Sequence, residues 1–153
     1  MKSGLRFQSI VGMFVTLGMI TSCFLLGEDA PMKKAVKTTV CRLTSAPDQF
    51  ENTLVTVRAR VESDGMHGSS LIEKSCPGKS VALVFDSSSD EESATAFRKA
   101  VFSGFPGTTD KEITGIFTGS FHWHQGQIPN RVLTVKRVSL LRVKKTPAPP
   151  PAR

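Results

Sequence analysis

Between Leu54 and Val61 the apolar residues Val55, Val57, Ala59 and Val61 alternate with Thr56, Arg58 and Arg60. A period of two puts one set on a buried face and the other in solvent, so a half-buried strand is predicted. Asp64-Gly65-Met66-His67-Gly68 supplies turn residues, and Ser70 to Lys74 reads as a shorter second strand ended by Cys76-Pro77-Gly78. Val81 to Phe85 is a continuous apolar run, as in a more fully buried strand. The spacing then becomes helical: Ala94, Phe97 and Val101 follow two overlapping capping boxes, Ser88-x-x-Glu91 and Ser89-x-x-Glu92, and precede a stop at Gly104. One helix of about three turns is expected there. Period two returns with Ile113, Gly115, Phe117, Gly119, Phe121 and Trp123 on one face and Thr114, Thr118, Ser120, His122 and His124 on the other. Its glycines predict strong bending or close approach of a neighbouring backbone. After a polar turn from Gln125 to Asn130, Val132 to Val143 forms the last strand, with an apolar phase that slips near Lys136 to Ser139 as a bulge would cause.

With a short helical turn around Leu43 to Phe50 in front, the order is three strands, one helix, two strands. That order matches the OB-fold, a five-stranded Greek-key barrel, here with its helix between strands three and four. The expected class is mainly β, with the OB-like domain at 40–143. Cys41-x-Leu43-x-x-x-Pro47-x-x-Phe50, then Val55-x-Val57-x-Ala59, then Cys76 just after the second strand, resembles small exported bacterial proteins grouped as "tRNA_anti-like". A Gly is usual in that group where Ala59 stands. The resemblance implies a barrel similar to anticodon-binding domains and does not carry transfer RNA binding with it. Periplasmic haem chaperones also use an OB-like barrel, but their His and Tyr motif is absent from a chain without Tyr.

Residues 1–22 read as a secretory signal: Lys2 and Arg6, an apolar run from Ile10 to Ile20, then small residues. Ile20-Thr21-Ser22-Cys23 resembles the lipobox of bacterial lipoproteins, which implies Cys23 as the first mature residue and the site of lipidation. The competing reading is an uncleaved anchor, since Ile10 to Leu26 spans 17 residues, the lower limit for crossing a bilayer. Phe rather than Asp at position 24 resembles lipoproteins passed on to the outer membrane of diderm bacteria. A periplasm-facing, lipid-anchored protein of the cell envelope is expected, with the outer membrane favoured over the inner. Residues 23–39 have the composition of a flexible tether, and residues 144–153, KKTPAPPPAR, that of a disordered basic Pro-rich tail.

Composition narrows the picture further. At 153 residues, with 39% hydrophobic and 22% charged, the chain has the size and balance of one globular domain with extensions. Its net charge of +7 suggests a nucleic-acid partner. Between Val40 and Val143, however, 12 Lys and Arg stand against 11 Asp and Glu, so the domain is nearly neutral and a nucleic-acid partner is not expected. The excess lies in leader, tether and tail, where it suits anionic headgroups, at about 1 kcal/mol per charge, or serves solubility. With Cys23 lipidated, Cys41 and Cys76 remain as an even pair in an exported chain, which suggests a disulfide over a metal or redox role. Closing a loop of about 35 residues restricts the unfolded state by roughly 4 kcal/mol.

His122 and His124 share a strand face about 7 Å apart and are candidate ligands for zinc, with His67 as a third; solvent-exposed strand positions are the plainer reading. Trp123, Phe117 and Phe121 suit either a stacking platform or the core, and their face, shared with Ile113, favours the core. Arg58, Arg60, Trp123 and Arg131 are the expected binding surface. No catalytic residue, cofactor motif, G-x-S-x-G elbow or phosphate loop is found. The expected function is therefore a membrane-tethered binding module of the envelope, with protein or glycan as partner. The alternatives are a metal-dependent enzyme using His122, His124 and His67, and a structural spacer working through the tail.

Overall fold

The computed structural model describes residues 34–146. The signal peptide, Cys23, most of the expected tether and residues 147–153 of the expected tail lie outside these residues, whereas Lys144 and Lys145, expected in the disordered tail, are the last residues of a strand, paired with Glu112 and Lys111. The elements are β1 (Val36–Thr38), α1 (Val40–Ser45), a 3-10 helix (Pro47–Phe50), β2 (Thr53–Ser63), β3 (Ser69–Ile72), β4 (Ser80–Phe85), α2 (Glu91–Phe102), β5 (Lys111–Trp123) and β6 (Arg131–Lys145). They form a mainly β fold with a six-stranded mixed sheet. Among the described residues, no helix is long and apolar enough to cross a membrane.

The strand pairings run in a closed cycle. β2 pairs antiparallel with β3, β3 with β4, β6 with β5 and β5 with β2, while β4 and β6 run parallel. β1, which falls in the segment expected as tether, lies parallel beside β2 with Val36 opposite Val55. The ordered domain thus begins before Val40: three residues gain ladder bonds on the free side of β2 that composition does not reveal.

The two-residue period of β2 and β5 holds in the fold. Val55, Val57, Ala59 and Val61 are buried along β2, and Ile113, Phe117 and Phe121 along β5. Leu71, Val81, Leu133, Val135, Phe97 and Val101 join the same core, each large side chain contributing about 1.5–3 kcal/mol. Phe97 carries α2 onto the sheet, edge-on to Phe117 at 5.9 Å and stacked on Phe85 at 5.0 Å. Cys41 and Cys76 stand at disulfide distance, Cα atoms 5.6 Å apart, and pin α1 to the β3–β4 connection.

The phase slip of the last strand resolves into two irregularities. Thr118 opposes Arg137 and Gly119 opposes Val135, which leaves Lys136 as the extra residue; a second shift lies between Thr114 and Ile116, opposite Leu140 and Leu141. Leu140 adopts a φ of 49° there and exposes its side chain. The start of α2 differs from the capping-box expectation. Ser88 donates to the Asp86 carboxylate in the preceding turn and Ser89 to Val135 O of β6, so neither serine caps α2. Asp90 is the N-cap, accepting from Ser93 N at 2.9 Å. Just past the other end of α2 the buried Lys111 donates to the carbonyl of the C-cap Ser103 and, at 2.8 Å, to that of Phe105 in the following loop, which gives its buried ammonium two acceptors.

Candidate functional site

The polar residues that converge most closely lie where β2 begins and β5 ends. Asn52 N donates to Phe121 O at 2.9 Å, extending the β2–β5 ladder one step past Thr53 and bringing Asn52 beside His122. Asn52 sits at a φ of 56°, a left-handed conformation that Asn tolerates better than most residues. Its Oδ1 lies 3.1 Å from His122 Nδ1, and Glu51 Oε1 lies 4.0 Å from the same nitrogen. The other Glu51 oxygen accepts from Trp123 N. The His122 and His124 rings are parallel within 2°, with centroids 6.3 Å apart. His124 N donates to Asn130 O at 2.8 Å, which closes the turn between β5 and β6.

Trp123 and Arg131 oppose each other in register on the inner side of this end. Trp123 is half-buried and packs against the core. Arg131 donates from one terminal nitrogen to Asn130 Oδ1 at 3.2 Å, while its buried Nε has no partner. Phe117 and Phe121 are fully buried, so they belong to the core and not to a stacking platform.

The four residues expected as one binding surface divide between two regions. Arg58 pairs with Ile116 and Arg60 with Thr114, whereas Trp123 is seven residues beyond Ile116 on β5. At strand rise that separation is about 23 Å. Arg60 lines a polar depression of about 330 Å³ together with Glu62, Glu73, Lys74, Lys79 and Cys76. His67 is likewise apart from His122 and His124, in the turn after β2 at the far end of that strand, with Nδ1 2.6 Å from Asp64 Oδ2. Two backbone amides, His67 N first and Met66 N second, hold the Asp64 carboxyl well below the usual carboxylate range.

Two further places have the shape or donors of a site. An apolar cleft of about 230 Å³ lies between α2, β4 and the Gly65–Gly68 turn, lined by Met66, Leu83, Phe85, Phe97, Arg98 and Phe102 among others. Cys41, Glu73 and Cys76 bring ligand atoms within 4.8 Å of one another, but the two sulfurs are at bonding distance and so engage each other instead of a cation. Among the described residues, no histidine is hydrogen-bonded to a Ser, Thr or Cys side chain.

Glu51 and Asn52 were not legible as site residues. They sit between an irregular turn and a strand, and only the β2–β5 register puts them next to His122. No known family model matches the chain, and neither the curated proteins nor the solved structures yield a match.

Proposed function

We propose that the chain is an exported, lipid-tethered binding module of the bacterial cell envelope, built on an OB-like barrel, with a protein or a glycan as its ligand. The barrel reading is supported by the cycle β2-β3-β4-β6-β5, closed by β2–β5, with α2 inserted in the chain between β4 and β5. The tether reading rests on the lipobox resemblance ending at Cys23, which implies a periplasm-facing position and favours the outer membrane.

The observation that carries the binding reading is the gathering of Glu51, Asn52, His122, Trp123, His124 and Arg131 at one end of long paired strands. His122 and His124 stand on one face of this strand end and Trp123 and Arg131 on the other, so its rim presents polar side chains on both sides of a half-buried aromatic ring, as a recognition edge does. In a deletion strain, Arg131→Glu at normal abundance is expected to fail to restore the wild-type phenotype, whereas Arg58→Glu with Arg60→Glu restores it. Full restoration by Arg131→Glu would remove this end as the binding surface.

A further inference from the structure

We propose that His122 and His124 chelate one divalent late first-row transition-metal ion on the outer face of β5, with Asn52 as the positioning residue. This inference concerns the same strand end as the proposed binding surface but needs neither export nor lipidation, so it can fail or hold independently of them.

Residues two apart on a strand share a face, and the two rings already lie parallel with centroids 6.3 Å apart. His122 Nδ1 faces two acceptors, Asn52 Oδ1 at 3.1 Å and Glu51 Oε1 at 4.0 Å. A nitrogen so placed carries the ring proton in the neutral imidazole, which leaves the Nε2 lone pair free and directed away from Asn52. A ligand histidine whose other ring N–H is held by a carbonyl or carboxylate is the usual second layer of a metal site. Here Asn52 supplies that carbonyl from its left-handed conformation, and Glu51 supplies negative charge beside it.

The surroundings favour a cation on this face. Arg131, the nearest basic residue in register, pairs with Trp123, whose side chain projects to the opposite face from its two histidine neighbours. His122 is 30% exposed and His124 is exposed, so an ion and its waters can reach both. Bonds of about 2.0–2.1 Å require the two ring nitrogens to converge to roughly 3–3.5 Å, which the exposed His124 ring reaches by turning about its side-chain torsions toward His122, held by Asn52. Two imidazoles select zinc, nickel or copper over magnesium and calcium, and with water completing the shell the affinity is modest. His67 takes no part, since it is held by Asp64 at the other end of β2.

The test is titration of the full, disulfide-intact chain with Zn(II), followed through the ring resonances of its three histidines. His122 and His124 are expected to shift together and saturate at one equivalent, with His67 unmoved and Ca(II) without effect. His122→Ala and His124→Ala should each raise the Kd at least about tenfold, and Asn52→Ala about tenfold, as loss of a second-layer partner does. His67→Ala should change nothing. Zinc bound at any thiol leaves the ring signals unmoved and so does not imitate the result. A response led by His67, ring signals that stay still, or an unchanged Kd in His122→Ala would each overturn the proposal.

Discussion

Gly119 stands where the β6 backbone passes close over β5. A Cβ there would lie 2.3 Å from Thr134 O and 3.0 Å from Val135 Cα, both backbone atoms that cannot step aside without moving the strand. The close approach anticipated from glycines in mid-strand is therefore real at this position, beside the extra residue Lys136 of the bulge. Gly119→Ala is expected to cost about 3 kcal/mol and to lower the Tm by about 10 °C or more in a thermal melt. Other single-residue roles left no trace in the pattern. Lys111 reads as an ordinary charge opening a strand, yet it is buried, with its ammonium donating to the carbonyls of Ser103 and Phe105 in the segment that follows α2. Asn52 reads as a turn former, and its contact with His122 depends on a ladder between segments 70 residues apart.

The α2 cap shows where local chemistry misleads. Two serines and two glutamates at capping-box spacing invite a start at Ser88 or Ser89, but β6 competes for those hydroxyls through Val135 O and Lys136. Asp90, one residue later, takes the cap. The Ser88 hydroxyl lowers the pKa of Asp86, and the Ser93 backbone N–H that of Asp90, in each case below the ordinary 3.8. A carboxylate whose pKa is lower in the folded than in the unfolded chain adds stability above about pH 4 and loses it as pH falls through the folded value. Between pH 6 and pH 2 the Tm should therefore fall below about pH 4, and fall less steeply in the Asp86→Asn, Asp90→Asn double variant. Parallel curves would show that these turns do not contribute to acid sensitivity.

The strands were more legible than the helix start, because a period of two over eight or more residues has few other solutions. β1 was not, since three residues beside Lys33 and Lys34 carry no period to read. The cysteine pairing was legible by count and is met by geometry: α1 and the β3–β4 connection are 35 residues apart in the chain and joined at Cys41 and Cys76. Cys76→Ser, or reduction of the wild type, is expected to cost about 3–4 kcal/mol in a denaturant titration. A loss below about 1 kcal/mol would mean that α1 is held by its buried Val40 and Leu43 alone.

The fold as a whole joins a cycle of five strands, one of them lengthened by two bulges, to a helix seated on Phe97 and a covalent link at the opposite connection. Its class followed from the order of elements, which chain length and turn residues restrict to few arrangements. The grouping of polar residues did not, because strand register decided it: Arg58 and Arg60 went to one region and Trp123 and Arg131 to another. Charge drew the same division along the chain, with a nearly neutral domain between basic ends. That division suits the module we propose, held at a membrane by its N-terminus, and the mature mass from detergent-extracted membranes, with and without reduction, tests the proposal. A chain that begins at lipid-modified Cys23 and gains two hydrogens on reduction is expected; a chain that retains Met1 and carries free thiols at Cys41 and Cys76 would contradict the proposed tethered, exported module.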